Sequence, residues 1–310
     1  MGGLIQTDLR WQRRDEYQSS DLLRFYLVGA DHKTRWWFGG PGSPVRLNKP
    51  PSGLQGAPVK HDYQTVTGMD GAIYKGTIDE QATITLQVWV SDPRSSAWAR
   101  RQHSLWRESL GRGKDTVRLF AVSKESGYWW IDARVESISD VNYFDQRPGL
   151  VGEIGELVTL KTDRSFWEKF EERKVFDRYP CRNAHMLNLG DQPAWLKWTV
   201  TGDHNGCYIG VDREGVYLPD PRKVYSESDL MDGNSPVYGY WVDTDELWPS
   251  LMTAAGDDLQ PRFPDTYWTK PLPPRGVHRG NTVPLNITPI NPGENFRVEV
   301  SYTPRAEQAW

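Results

Sequence analysis

A mainly β chain of two domains is what this sequence predicts, and three observations predict it. Segments with apolar residues at every second position recur along the chain. Turns rich in glycine and proline separate them. One amphipathic stretch, about residues 93–110, has helical spacing, and no second convincing helix is found. Residues 1–176 read as an N-terminal β-sandwich or split-barrel-like domain carrying that helix, and residues 177–310 as a C-terminal β-sandwich. The boundary falls near 175–183, where the sequence turns polar and Pro180 interrupts it.

In chain order, residues 1–40 hold Leu22, Phe25 and Leu27 and then Trp36-Trp37-Phe38, in short strands broken by charge. Residues 39–60 carry seven Gly or Ser and five prolines, which predicts a long irregular loop, because proline fixes φ and removes a donor. A turn at Gly68-Met69-Asp70-Gly71 precedes an alternating strand with Ala82, Ile84, Leu86, Val88 and Val90 on one face. The helix is expected to start with Asp92 as cap and Pro93 in the first turn, and to stop at Gly111. Trp98, Leu105 and Trp106, at i, i+7 and i+8, are expected to share the face that packs on a sheet.

Residues 116–122, 128–138 and 154–162 read as strands, the first two joined by a turn at Lys124-Glu125-Ser126-Gly127. Residues 140–152 form a longer excursion, and Ser165–Arg173 a short helix or turn. Further strands are expected at 194–201, 237–242 and 296–302, the last with Phe296, Val298, Val300 and Tyr302 on one face. Asn205-Gly206 and Arg213-Glu214-Gly215 are read as hairpin turns, Thr244–Ala255 as a possible turn and Pro261–Pro284 as mainly loop.

The chain of 310 residues is long enough to bury a core without staples. Cys181 and Cys207 form no CxxC pair, which fits two reduced thiols in a reducing compartment. With a net charge of -4 and no basic run beyond Arg10-Trp11-Gln12-Arg13-Arg14, strong nucleic-acid binding is not implied. No signal peptide and no membrane-spanning stretch is read. Mean hydropathy is -0.67 despite 15 Trp and 14 Tyr. Such aromatics suit surfaces half buried against a partner, or the cores of thin sandwiches.

No nucleophile, P-loop, zinc or dinucleotide motif occurs, and the six histidines are isolated. Asp203-His204-Asn205-Gly206 begins like a calcium loop, but Tyr208 stands where glycine is needed, and Tyr208, Ile209 and Val211 alternate as a strand. Asp243, Asp245 and Glu246, flanked by Trp241 and Trp248, are the candidate glycosidase acids, with a surface turn as the plainer reading. Trp241, Trp248, Tyr267 and Trp268 are the candidate saccharide or partner contacts. No cofactor, metal or catalytic residue is assigned.

One resemblance gathers these features. The run DGAIYKGTIDEQATITLQVWVSDPRSSAWARRQHSLWRESLGRGKDTVRLFAV resembles the N-terminal domain of the distal tail (Dit) proteins of long-tailed phages, with GYWWIDARVESI as its next strand. LVTLKTDRSFWEKF is similar to that family's closing element, with Ser165 in place of a proline. LNLGDQPAWLKWTVTG and NPGENFRVEVSYTPRAEQAW resemble the opening and closing strands of its second domain. The Trp-rich VDTDELWPSLMTAAGDD is most like siphophage minor tail proteins of actinobacterial phages. Residues 1–60 do not align.

The resemblance implies a ring, usually of six copies, at the distal end of the tail in the virion, made in the host cytoplasm. It implies contacts with the tail tube protein, the tail hub or tail-associated protein and the tape measure protein, and a channel that DNA crosses without specific binding. It implies a galectin-like C-terminal sandwich that carries receptor-binding parts or binds a host-surface glycan, and no enzyme chemistry.

Overall fold

The computed structural model describes residues 22–39, 42–68, 70–144, 152–224, 239–275 and 282–310. The basic run at 10–14, Met69, most of the 140–152 excursion, the start of the 237–242 strand and His278 lie outside them. The contacts divide the chain into two units, one of residues 1–168 with 306–310 and one of residues 169–305.

The first unit contains β1 (Arg24–Val28), β2 (Arg35–Trp37), β3 (Val45–Leu47), β4 (Val59–Gln64), β5 (Ile73–Asp79) and β6 (Thr83–Ser91). The single α-helix of the described residues, α1 (Ser96–Ser109), follows, and then β7 (Val117–Ser123), β8 (Gly127–Ile138), β9 (Glu153–Thr162) and β10 (Trp167–Glu168). The main sheet runs β2-β1-β7-β8-β9-β6-β3, with its neighbours antiparallel. Its end strands β2 and β3 come close, so the sheet nearly closes into a barrel. Alternation explains the interior: Ile84, Leu86, Val88 and Val90 of β6 point inward with Leu119 and Ala121 of β7 and Val158 and Leu160 of β9.

The irregular stretch expected at 39–60 is partly a strand. β3 pairs β6, Ser52 bridges Thr85, and the Trp167 Nε1 donates to the Leu54 carbonyl at 3.2 Å. Prolines punctuate this segment without preventing pairing, because they stand outside β3 itself.

Helix α1 begins three residues later than expected. Ser95 is its cap and accepts from the Trp98 N–H at 3.3 Å. Asp92 instead turns back on Arg94, accepting from its backbone N–H (3.0 Å), Nε (2.9 Å) and a terminal nitrogen (2.7 Å). These bonds hold the Asp92 carboxyl at about 2, the side-chain bond from Arg94 contributing most. At the other end Gly111 has φ +62, as expected of the residue past a helix, and faces the Ala30 methyl.

The second unit holds β11 (Glu172–Asp177), β12 (His185–Leu187), β13 (Lys197–Thr201), β14 (Gly206–Val211), β15 (Val216–Pro219), β16 (Gly239–Asp243), β17 (Ser250–Thr253), β18 (Thr282–Pro289) and β19 (Arg297–Tyr302). A five-stranded sheet, β11-β19-β13-β16-β17, and a four-stranded sheet, β12-β18-β14-β15, enclose one core. Phe296, Val298, Val300 and Tyr302 face into it, opposite Ile209, Leu218, Leu285 and Ile287. Two local readings change. Ser165–Arg173 contributes β10 and the start of β11, not a helix. Asn205-Gly206 carries the chain from one sheet to the other and makes no hairpin, because β13 pairs β16 and β19. Arg213–Gly215 does turn the β14–β15 hairpin.

Candidate interaction surfaces

Of the three residues expected to fix the helix to the sheet, only Trp106 does so. It is fully buried, and its ring meets Trp36 and Phe38 edge-on at 5.9 and 6.1 Å. Trp98 is 37% exposed and Leu105 44% exposed, so the buried line runs through Ala99, Trp106 and Ser109. The correction follows from helix geometry. Leu105 lies one residue, about 100°, from Trp106 and points away when Trp106 points in. Trp98 finds cations, with the Arg94 guanidinium 3.8 Å and that of Arg101 5.2 Å from its ring centre.

A residue missed in the sequence completes the anchor. Glu156 of β9 is buried, accepts from the Trp106 Nε1 at 2.7 Å, and meets His103 Nε2 at 2.9 Å and Arg107 Nε at 3.1 Å. Three residues of one helix face thereby close on one carboxylate, which compensates for its desolvation. The sign in the sequence was an acid in an otherwise apolar strand face.

One exposed feature of the first unit is an arm. Among the described residues, strands β4 and β5 pair only with each other, and every residue in them except Gly76 is exposed. Val59 faces Asp79 and Tyr63 faces Tyr74, with a bulge at Asp62/Tyr63. His61, Tyr63 and Tyr74 form a ring cluster on one side, with centroids 5.8–6.1 Å apart. Val59, Val66, Ile73 and Ile78 are also exposed. A lone two-stranded ribbon is at best marginally stable in water. Apolar side chains are thus exposed on both sides of the ribbon, among charged ones.

A groove of about 1140 Å³ lies at the seam of the barrel, lined by both end strands and by Phe25, Trp37, Phe38 and Leu47. Its walls are mainly apolar and carry Arg24, Arg35 and Lys49 with no carboxylate.

In the second unit the expected aromatic set separates. Trp241 stands on the outer side of the five-stranded sheet, opposite Thr199 and Met252. Trp248, 82% exposed, sits on the following turn, where Asp245 accepts from the N–H groups of Leu247 (3.0 Å) and Trp248 (3.2 Å). Tyr267 lies elsewhere, in a groove of about 400 Å³ with Tyr217, Phe263 and Asp265 beside β15. Trp268, only 9% exposed, is a core residue whose Nε1 donates to the Ile209 carbonyl at 3.3 Å. The four therefore form no single platform.

Two of the three candidate acids hold structure together, and the third, Glu246, is exposed. Asp243 pairs with Lys197 at 3.0 Å and accepts from the Asp245 N–H, and Asp245 organises the Trp248 turn. Cys181 and Cys207 are buried free thiols. Burial pushes Cys181 up to about 11, and Cys207 is shifted upward as well. His204 is buried, and that burial lowers its pKa. Among the described residues no three His, Cys, Asp or Glu side chains gather as a metal site, and no helix is long and apolar enough to cross a membrane.

No protein-family model matches the chain, and no curated protein matches it. Solved structures do. The crystal structure of the SPP1 Dit protein, a hub adsorption apparatus protein of phages infecting Gram-positive hosts, aligns with a TM-score of 0.57 at 12% identity, covering 91% of this chain and 98% of that one. Chains of the phage P2 baseplate in its activated conformation, with Ca and with Sr, align with TM-scores of 0.46 and 0.49 at 10% identity, each covering 93% of this chain. The fold is thus Dit-like over nearly the whole chain.

Proposed function

We propose that this chain is a non-enzymatic structural component of a phage tail tip. In this reading copies close into a ring, six in number, at the distal end of the tail. The ring joins the tail tube protein to the hub and lets the tape measure protein and DNA pass. Likeness to a hub protein across both units supports the tail-tip role. The observation that carries the ring is the uncovered arm β4–β5, whose apolar residues need a partner surface. The mildly acidic chain also suits a channel, since a basic lining would hold phosphate and slow passage. Negative-stain imaging of the purified protein tests this. Rings with an open centre are expected; a uniform monomer, together with absence of the protein from purified virions, contradicts it.

A second reading coexists with the first: the C-terminal sandwich contacts a host-surface glycan. Exposed Trp248 on its braced turn favours this, because an aromatic face held in place stacks on a sugar ring with little ordering cost. Saturable binding to host cell-wall glycan, lost in Trp248→Ala or Trp241→Ala, is expected. A glycan array without signal removes it.

A further inference from the structure

Building on the ring reading, we propose that the arm of one copy seats its aromatic side in the barrel-seam groove of the next copy. Four observations converge. The arm buries neither of its sides in its own subunit, and its His61, Tyr63 and Tyr74 rings face outward. The groove presents rings and aliphatic walls of matching character, chiefly Phe25, Trp37, Phe38 and Leu47.

Charge is complementary as well. Residues 59–80 carry Asp62, Asp70, Asp79 and Glu80 against Lys60 and Lys75, whereas the groove carries Arg24, Arg35 and Lys49 and no acid. None of these three cations forms an ion pair among the described residues, and an incoming carboxylate would find them complementary. Finally, β2 and β3 end the sheet order, each pairing with one strand only among the described residues. Such edges accept a further strand through backbone hydrogen bonds.

The two patches differ from each other, so the contact is heterologous. Each copy gives an arm and receives one, which is the arrangement that closes into a ring when the rotation fits. A second copy is therefore the occupant that both supplies the acidic aromatic ribbon and leaves none unpaired.

The test uses two full-length single-cysteine additions, Tyr63→Cys in the arm and Trp37→Cys in the groove. Arg35→Cys serves as a second, exposed groove position. Native Cys181 and Cys207 are buried and give no background under mild oxidation. Mixing the arm variant with either groove variant is expected to give a covalent dimer that neither partner gives alone. Reversing the groove charges (Arg24→Glu, Arg35→Glu, Lys49→Glu) is expected to disperse the rings. Adding Asp62→Lys, Asp70→Lys and Asp79→Lys in the same chain is expected to restore them.

Rings that persist without any arm–groove crosslink overturn this docking and leave the ring reading standing. That is also the result expected if residues 1–21 of the same chain, or another tail protein, fill the groove. Wild-type protein that forms no rings and is absent from purified virions, with no crosslink between the cysteine variants, removes both proposals.

Discussion

Two tryptophans on one helix show how far residue type alone can mislead. Trp98 and Trp106 look equivalent in sequence, yet one lies against arginines at the surface and the other is sealed against Glu156 and Trp36. Trp106→Ala should lower stability by about 3–5 kcal/mol, and Trp98→Ala by about 1 kcal/mol, in urea unfolding followed by far-UV circular dichroism. Equal losses would mean that the helix seats differently. The cap separates in the same way. Ser95→Ala should cost about 1 kcal/mol, while Asp92→Ala should leave the first helical turn intact as read by hydrogen exchange at Trp98 and Ala99. The thiols add a pH signature. Cys181 is raised from 9.0 to about 11, so the unfolded chain ionises first as pH rises. Its contribution is complete below pH 9 and declines from there to about 11. Chemical denaturation at pH 8 and 10 should show lower stability at pH 10, with the difference reduced in Cys181→Ser.

Elements with one buried side were legible, because burial imposes a period of two. Residues 116–122, 128–138, 154–162 and 296–302 were read within a residue or so of β7, β8, β9 and β19. The arm was missed because both of its sides face solvent in one subunit, so no alternation marks it. Only its turn at 68–71 was visible. β18 was lost behind Pro284 and Pro289, although Val283, Leu285 and Ile287 alternate inward. Trp241, Trp248, Tyr267 and Trp268 all read as candidate contacts, because sequence alone does not reveal which sheet a residue joins or that Trp268 is core. At this scale the arm gives a sharp expectation. Replacing residues 59–79 by a short glycine turn should leave the thermal midpoint of the barrel within a few degrees, since β4 and β5 pair with no other strand among the described residues. The same replacement should abolish assembly in sedimentation velocity. A large fall in midpoint would show that the arm is part of the fold.

For the whole molecule, the mainly β plan and the one α-helix of the described residues were readable from pattern, and the Dit-like resemblance from the layout around that helix. What joins copies was not readable, because an interface is half of a surface whose other half lies on another molecule. Ring closure of this kind leaves each subunit incomplete by itself, with its arm extended and its seam open. Native mass measurement of the full-length protein over a concentration series is the most direct test. A single closed species of six times 35.6 kDa, appearing without intermediates that grow past it, is the predicted result. An open-ended ladder, or a 35.6 kDa species at every concentration together with absence of the protein from purified virions, would contradict it.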